Sequence, residues 1–205
     1  MADFRLRVTY AETGRLVMLS HLEIARALER AVRRAGLPYA VSQGFSPHMK
    51  QAFGSALPVG VGGLEEIFDV SLTDYVPPEE ALARLQASSA PDLMPHAARY
   101  ITKDETAASA AYPRSTYEAL LEASRSGDRE MGVLAAARAL SVPSEITVVR
   151  KKKERVLVPS EFIVGELEVE PAEPGEEGQG RALVRFTLES KASGSLRPDV
   201  LLEHM

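Results

Sequence analysis

A helix end, a short strand and a sharp turn follow one another in residues 36–50, and this segment most constrains how the chain folds. Gly36 favours the left-handed conformation that ends a helix, and Pro38 prevents the helix from continuing. Gly44 and Pro47 then predict a tight reversal of the chain. Around that reversal the segment presents an aromatic ring, an imidazole and an ammonium group, which belong to Phe45, His48 and Lys50.

The helix that leads into this segment is predicted from about His21 to Ala35. Ser20 and Glu23 have the spacing of a capping box, in which each residue satisfies a backbone donor at the other's position. At about 100° per residue, one helix face is apolar. Its members are Ile24, Ala25, Leu28, Ala31, Val32 and Ala35. The opposite face carries Arg26, Arg30, Arg33 and Arg34. These arginines form either a solvated face, partly paired with acids of the same helix, or a stripe that faces phosphates.

The patterns of the first hundred residues alternate between strands and helices. Residues 4–10 and 66–72 alternate apolar and polar side chains, as half-buried strands do. An extended segment broken by Gly and Pro is expected over 52–60, and a further strand over 93–102. Two prolines followed by two acids, over 77–80, predict the entry of a helix. The order β-α-β-β-α-β is that of the ferredoxin-like plan.

A second, looser repeat of the same type is predicted for the rest of the chain. The expected elements are a strand over 112–121, a helix over 128–140, a hairpin of 162–170 and 181–189 around an acidic loop, and a final helix opened by residues 195–199. We therefore predict an α+β fold made of two tandem ferredoxin-like repeats that form one pseudo-duplicated unit. The predicted repeats are residues 1–104 and 105–205.

Composition excludes several classes of protein. The chain has 205 residues and no cysteine, so disulfides and cysteine-ligated iron–sulfur clusters are excluded. It has neither an apolar run that spans a bilayer nor a secretory signal, so we expect a cytoplasmic protein. The net charge is −5, but residues 1–60 carry eight basic and four acidic residues and sum to +4, which leaves −9 for the remainder. The asymmetry leaves room for a polyanion-facing surface near the N-terminus.

Several motifs along the chain resemble those of one known family. They are Leu19-Ser20-His21-Leu22, Arg33-Arg34-Ala35-Gly36-Leu37-Pro38, Ser42-Gln43-Gly44-Phe45-Ser46-Pro47-His48, Ala56-Leu57-Pro58-Val59-Gly60 and Ser195-Leu196-Arg197-Pro198-Asp199. Together they resemble the bacterial radical-SAM-linked domain family of unknown function. In that family the domain is fused to, or encoded beside, a B12-binding-type radical SAM protein, so the resemblance implies such a partner. The genes of the family also lie near RNA-processing and ribosomal-protein genes, and this neighbourhood implies that the family works on RNA or ribosomes.

Two histidines are the candidate catalytic residues. His21 lies at a helix start, where the dipole disfavours imidazolium, so it is either a neutral proton acceptor or a packed core ring. His48 lies beside Lys50 in a turn that either cradles an anion or only shapes the chain. These histidines with Glu23 or Asp69 would suit a divalent ion. The histidines of the chain lack ligand spacing, however, and we predict neither a metal site nor a cofactor.

An RNA-binding surface requires a basic groove and aromatic platforms on which bases stack. Phe45, Tyr39 and Phe53 are the candidate platforms, and the basic run 150–155 is either part of the groove or a solvated hairpin tip. The expected binding residues are Arg26, Arg30, Arg33, Ser42, Gln43, Gly44, Phe45, His48, Lys50 and Arg197.

Three functions follow from these observations. The first is a non-catalytic accessory domain that binds RNA or a ribonucleoprotein substrate for a radical SAM partner. The second is a metal-independent RNA-cleaving enzyme that uses His21 or His48 as general base. The third is a protein–protein scaffold that docks the radical SAM enzyme. The sequence does not indicate the oligomeric state.

Overall fold

A computed structural model of the chain describes residues 4–122, 130–150, 153–173, 180–192 and 194–205. The chain divides into two compact units, Met1–Tyr112 and Pro113–Met205, which we call unit 1 and unit 2. The segment 105–112 packs within unit 1, because Arg7 donates a hydrogen bond to the Thr106 carbonyl and the Ala108 N–H donates one to Asp69. The predicted border at 104 precedes this segment.

Unit 1 contains one antiparallel sheet with helices. Its elements are β1 (Phe4–Glu12), a 3-10 helix (Gly14–Met18), α1 (His21–Arg34), β2 (Gln51–Phe53), β3 (Gly63–Leu72), α2 (Pro78–Ser88), β4 (Leu93–Ile101) and α3 (Ala108–Ala111). In the described part of unit 1 the strand order is β2-β3-β1-β4, and every neighbouring pair is antiparallel. Of the extended segment expected over 52–60, only its first two residues pair in the sheet.

Helix α1 is confirmed, and both of its ends are set by local chemistry. The Ser20 backbone N–H and hydroxyl both donate to the Glu23 carboxylate, at 2.9 and 2.7 Å. These hydrogen bonds lower the pKa of Glu23. At the other end Gly36 has φ of 62°, a left-handed conformation that glycine adopts without strain. The apolar face predicted for the helix is buried at Ile24, Leu28, Ala31 and Val32.

The sheet of unit 1 has one face in the core and one polar face. The core face carries Leu6 and Val8 of β1 and Phe68 and Val70 of β3, which pack with the buried side chains of α1 and α2. Because side chains alternate along a strand, their neighbours point to the opposite side of the sheet. These neighbours are Arg5 and Arg7 of β1 and Asp69 and Ser71 of β3. We call this side the polar face of unit 1.

Unit 2 has a different arrangement of strands. Its elements are β5 (Arg114–Glu122), α4 (Glu130–Arg138), β6 (Ile146–Arg150), β7 (Lys153–Leu157), a 3-10 helix (Pro159–Glu161), β8 (Ile163–Ala172), β9 (Arg181–Glu189) and α5 (Pro198–Glu203). In its described residues β5, β9 and β8 form an antiparallel sheet in that order, and β6 and β7 form a separate hairpin.

The strand predicted over 112–121 and the hairpin of 162–170 and 181–189 are confirmed as β5, β8 and β9. Parts of three predictions lie outside the described residues: the first two residues of the helix over 128–140, Lys151 and Lys152 of the basic run, and residues 174–179 of the acidic loop. The described chain is a mixed α/β protein with antiparallel sheets and few helices. None of its described helices has the length and apolar character needed to cross a bilayer.

Candidate functional site

Residues 42–48 form a closed loop that projects from the edge of the unit 1 sheet, and we call it the 42–48 loop. Its ends are joined by an antiparallel bridge between Val41 and Met49. The Ser42 N–H donates to the His48 carbonyl at 2.8 Å, and the His48 N–H donates to the Ser42 hydroxyl at 3.0 Å. Within the loop Gly44 has φ of 136°, which L side chains rarely adopt. The loop is therefore closed by its own hydrogen bonds, and Ser42 has a structural role in it.

Phe45 stands at the tip of this loop and is fully exposed (111 %). The neighbouring residues Gln43, Gly44, Ser46, Pro47 and His48 are exposed as well. Met49, which follows the loop, is buried in the core of unit 1 and anchors its base. A large apolar ring held in water on an anchored loop contributes nothing to the core, so its surface is available to a partner.

The two candidate histidines have different surroundings. His21 is half-buried at the start of α1, and its ring packs edge-to-face on Phe53 with centroids 5.5 Å apart. His48 is exposed, and the described residues give its ring no hydrogen-bond partner. Within the described ranges, no group of three or more His, Asp, Glu or Cys residues is arranged to hold a metal ion.

Two of the three aromatic platforms expected from the sequence have other contacts. Phe53 stacks on Phe68 with centroids 5.9 Å apart and packs against the core of unit 1. Tyr39 lies under the Arg33 guanidinium, 5.1 Å from the ring centroid, and its hydroxyl accepts a hydrogen bond from Arg33 at 3.0 Å. Phe45 is thus the member of the set whose ring is free to stack with a base.

The arginines of α1 are exposed as predicted, but they are not equivalent. Arg33 pairs with Glu29 at 2.5 Å, one helical turn away, and this hydrogen bond raises the pKa of Arg33. Arg26, Arg30 and Arg34 have no ion pair among the residues that the structure describes. The stripe therefore presents three guanidinium groups to water.

Lys50 belongs to a different surface from the arginine stripe. It lines a shallow cleft of about 270 Å³ on the polar face, together with Arg5, Gln51, Ala52, Asp69 and Ser71. The arginines of α1 lie on the helix side of the same sheet. The expected groove of α1 arginines and Lys50 is thus split between the two sides of unit 1. Arg197 belongs to unit 2, where it is exposed and donates to Asp199 at 3.0 Å.

A buried ion pair lies beside the cleft and was missed from the sequence. Arg7 donates two hydrogen bonds to Asp69, at 2.7 and 2.9 Å, and both residues are about 5 % exposed. This pairing raises the pKa of Arg7. The Ala108 N–H of α3 donates a further hydrogen bond to the Asp69 carboxylate at 2.9 Å. The alternation of β1 and β3 indicated that both residues share a face, but their pairing depends on the register between the strands.

A second missed cluster lies on the core side of the sheet, where Tyr10 pairs with Glu66 across β1 and β3. Burial and the nearby Glu12 raise the pKa of Glu66 to about 7. Glu12 is buried, which raises its own pKa. The Tyr10 pKa is also raised, chiefly by burial and further by these two carboxylates. An acid at the alternation position of Phe68 and Val70 was the sequence signal that could have identified Glu66.

The chain matches one family of bacterial proteins. The model of a family described as "uncharacterized protein conserved in bacteria" (DUF2344) matches residues 5–198. No curated protein matches the chain. Among solved structures, the chain is similar to an unknown protein from Galdieria sulphuraria, with 15% sequence identity over 91% of this chain and 81% of that one. The TM-score of that pair is 0.31.

Proposed function

This chain belongs to the bacterial family DUF2344. We propose that it is a non-catalytic accessory domain that binds RNA or a ribonucleoprotein substrate. We further propose that it serves a B12-binding-type radical SAM protein in the bacterial cytoplasm. The observation that carries the RNA part is Phe45, fully exposed at the tip of a loop that is closed by its own hydrogen bonds. Every base has a π face, so such a ring recognises unpaired bases without selecting their sequence.

The charges of unit 1 support the same proposal. On the helix side of unit 1, Arg26, Arg30 and Arg34 are exposed and have no ion pair in the described chain. On its polar face, Lys50 follows the 42–48 loop. Single-stranded RNA is bound by combining such cations, which contact phosphates, with an aromatic platform for bases. The negative net charge of the whole chain disfavours general coating of nucleic acid, so binding is expected to be local to unit 1.

Strand order supports the finer fold that we propose, two ferredoxin-like repeats. Unit 1 runs β-α-β-β-α-β with the sheet order β2-β3-β1-β4. In the described part of unit 2 the order β8-β9-β5 has the same connectivity as β2-β3-β1, with the hairpin β6-β7 placed before β8. Helices α2 and α5 follow equivalent strands, β3 and β9, and both begin with proline in the first turn.

Fluorescence anisotropy with labelled single-stranded RNA at low salt tests the proposal. Phe45→Ala should weaken binding about tenfold, because one base loses its stacking partner. The double variant Arg26→Gln with Arg30→Gln should weaken binding. It should also reduce the slope of log affinity against log salt concentration by the amount expected for about two phosphate contacts. The matched control is Tyr112→Ala, since Tyr112 is also an exposed aromatic of unit 1. Absence of binding by the folded wild type overturns the RNA function, and equal affinities of Phe45→Ala and Tyr112→Ala overturn the role of the loop.

A protein-docking scaffold is a second candidate, because an exposed ring on an anchored loop also suits a protein partner. Capture of the radical SAM protein by the tagged chain, with and without nuclease, separates the two. Capture that survives nuclease and is lost in Phe45→Ala favours the scaffold, whereas capture that depends on RNA favours the first proposal. RNA cleavage by His21 or His48 stays a prediction, which incubation of RNA in chelator with His21→Ala and His48→Ala tests.

A further inference from the structure

Three neighbouring backbone segments place a cation, a hydroxyl and a cation in one row on the polar face of unit 1. Arg5 of β1 pairs directly with Ser71 of β3. On the other side of Ser71, the Ser71 N–H donates to the carbonyl of Lys50 at 2.9 Å. All three residues line the same shallow cleft. Neighbours in such a row are about 5 Å apart at Cβ, so the long side chains of Arg5 and Lys50 can converge above the Ser71 hydroxyl.

The adjacent row on the polar face does not neutralise the positive charges of Arg5 and Lys50. In that row Asp69 lies between Ala52 and Arg7. Its carboxylate already accepts two hydrogen bonds from Arg7 and one from the Ala108 N–H. Arg5 reaches it only at 3.5 Å. The Asp69 carboxylate therefore has two cationic partners, and its short contacts are made with Arg7 and with the Ala108 N–H rather than with Arg5.

The donors of the Arg5–Ser71–Lys50 row have capacity to spare. The Arg5 guanidinium makes only long hydrogen bonds, at 3.4 Å to the carbonyls of Thr102 and Glu105 and at 3.5 Å to Asp69. In the described ranges, neither the Ser71 hydroxyl nor the Lys50 ammonium has a hydrogen-bond or ion-pair partner. The nearby Glu105 carboxylate is engaged by Arg99 at 2.9 Å, so it does not neutralise the row.

The polar face is open at this row and covered at the next one. The segment that contains α3 lies over Asp69 and Arg7, where Arg7 also donates to the Thr106 carbonyl at 2.7 Å. Ala52 has only a methyl group, which leaves space on the floor of the cleft. The cleft is therefore bounded by α3 on one side and is accessible above Ser71.

We propose that Arg5, Ser71 and Lys50 form a subsite for a phosphate group. A guanidinium, an ammonium and a hydroxyl offer donors from three directions, and a phosphate monoester or diester offers tetrahedrally arranged acceptor oxygens to meet them. A planar carboxylate would use fewer of these donors. The phosphate can come from an RNA backbone or from a free nucleotide, and the site does not depend on the stacking role of Phe45.

Amide chemical shifts in a titration with inorganic phosphate, against sodium chloride at equal ionic strength, test the subsite. Phosphate should cause saturable shifts at Arg5, Lys50 and Ser71 that chloride does not cause. Arg5→Gln and Lys50→Gln should each weaken phosphate binding about five- to tenfold, and Ser71→Ala about twofold, because each removes one donor. Lys50→Gln and Ser71→Ala leave the Arg7–Asp69 pair intact, so they keep the test decisive if Arg5→Gln does not fold.

The matched control is Arg185→Gln, which removes a cation from the centre of a sheet row in unit 2 and should leave phosphate binding unchanged. Absence of saturable phosphate shifts, or shifts that persist in both Lys50→Gln and Arg5→Gln, overturns the proposal. Single-stranded RNA added to the phosphate complex then identifies the source. Displacement of phosphate supports the subsite as a contact for an RNA backbone phosphate. Retention of phosphate while RNA binds supports it as a site for a free phosphate or nucleotide.

Discussion

The two units carry sheets of related connectivity whose polar rows have opposite charge patterns. In unit 2, Arg185 of the central strand β9 lies between Glu118 of β5 and Glu168 of β8 and donates to both carboxylates. In unit 1 the inner strand β3 places Ser71 between two cations, Arg5 and Lys50. The row of unit 2 pairs its one cation with two carboxylates, and the row of unit 1 has two cations and no carboxylate of its own. Strand alternation alone does not distinguish the two polar faces, whereas the charges that the register brings together across the strands do.

The units also differ in what they bury. The buried charged residues of the described chain, Arg7, Glu12 and Asp69, all belong to unit 1. The buried cluster of the described part of unit 2 is apolar, and its ion pairs, such as Arg114–Glu189 and Arg181–Glu122, are at the surface. Buried charges weaken a fold unless each is paired, whereas surface pairs change stability little. We therefore expect substitutions of charged residues to affect unit 1 far more than unit 2.

The largest effect is expected for Asp69→Asn. This change leaves the Arg7 guanidinium buried without its counter-charge, which should cost about 3 to 5 kcal/mol of the free energy of unfolding. Urea unfolding, followed separately by amide signals of unit 1 and of unit 2, measures it. The loss should be confined to the signals of unit 1. A loss under about 1 kcal/mol would mean that Arg7 finds other acceptors, and the contrast between the units would fail.

A smaller effect of opposite sign is expected for Glu66→Gln. The pKa of Glu66 is about 7 in the folded protein against an ordinary 4.5, so the folded state binds the proton more tightly than the unfolded state does. The contribution of Glu66 to stability is therefore fully present below about pH 4.5 and is lost as the pH rises through 7. Glu66→Gln removes the ionisation and should raise the free energy of unfolding by about 1 to 3 kcal/mol at pH 8 and little at pH 5. Equal effects at the two pH values would contradict the raised pKa.

The smallest effect is expected for Arg185→Gln in unit 2. Both of its carboxylate partners are exposed, so removal of the guanidinium returns them to water instead of leaving a buried charge. The urea midpoint of the unit 2 signals should stay within experimental error of the wild type at physiological salt. A clear loss of stability here would show that the row of unit 2 contributes to its fold as much as the buried pair does in unit 1.

Sequence patterns predicted the local elements well, because local chemistry sets them. The capping box at Ser20 and Glu23 and the left-handed Gly36 define α1 as predicted. The displayed loop around Phe45 was also anticipated. The platform role of Phe53 stays a prediction, but its ring is partly buried against the core, because an aromatic side chain gives no local signal of whether it will face water or the core. Register across strands decided that point, since Phe53 pairs with Phe68.

The sequence by itself determined where helices end, which strands alternate, and that cysteine chemistry is excluded. It also determined the segment 36–50 as a helix end followed by a displayed loop. Only the tertiary structure decided that Arg7 and Asp69, 62 residues apart, form a buried pair, and that Arg5, Ser71 and Lys50 lie in one row. The reason is physical. Alternation and capping depend on near neighbours in the chain, whereas the pairing of distant strands depends on the register that their shared core selects.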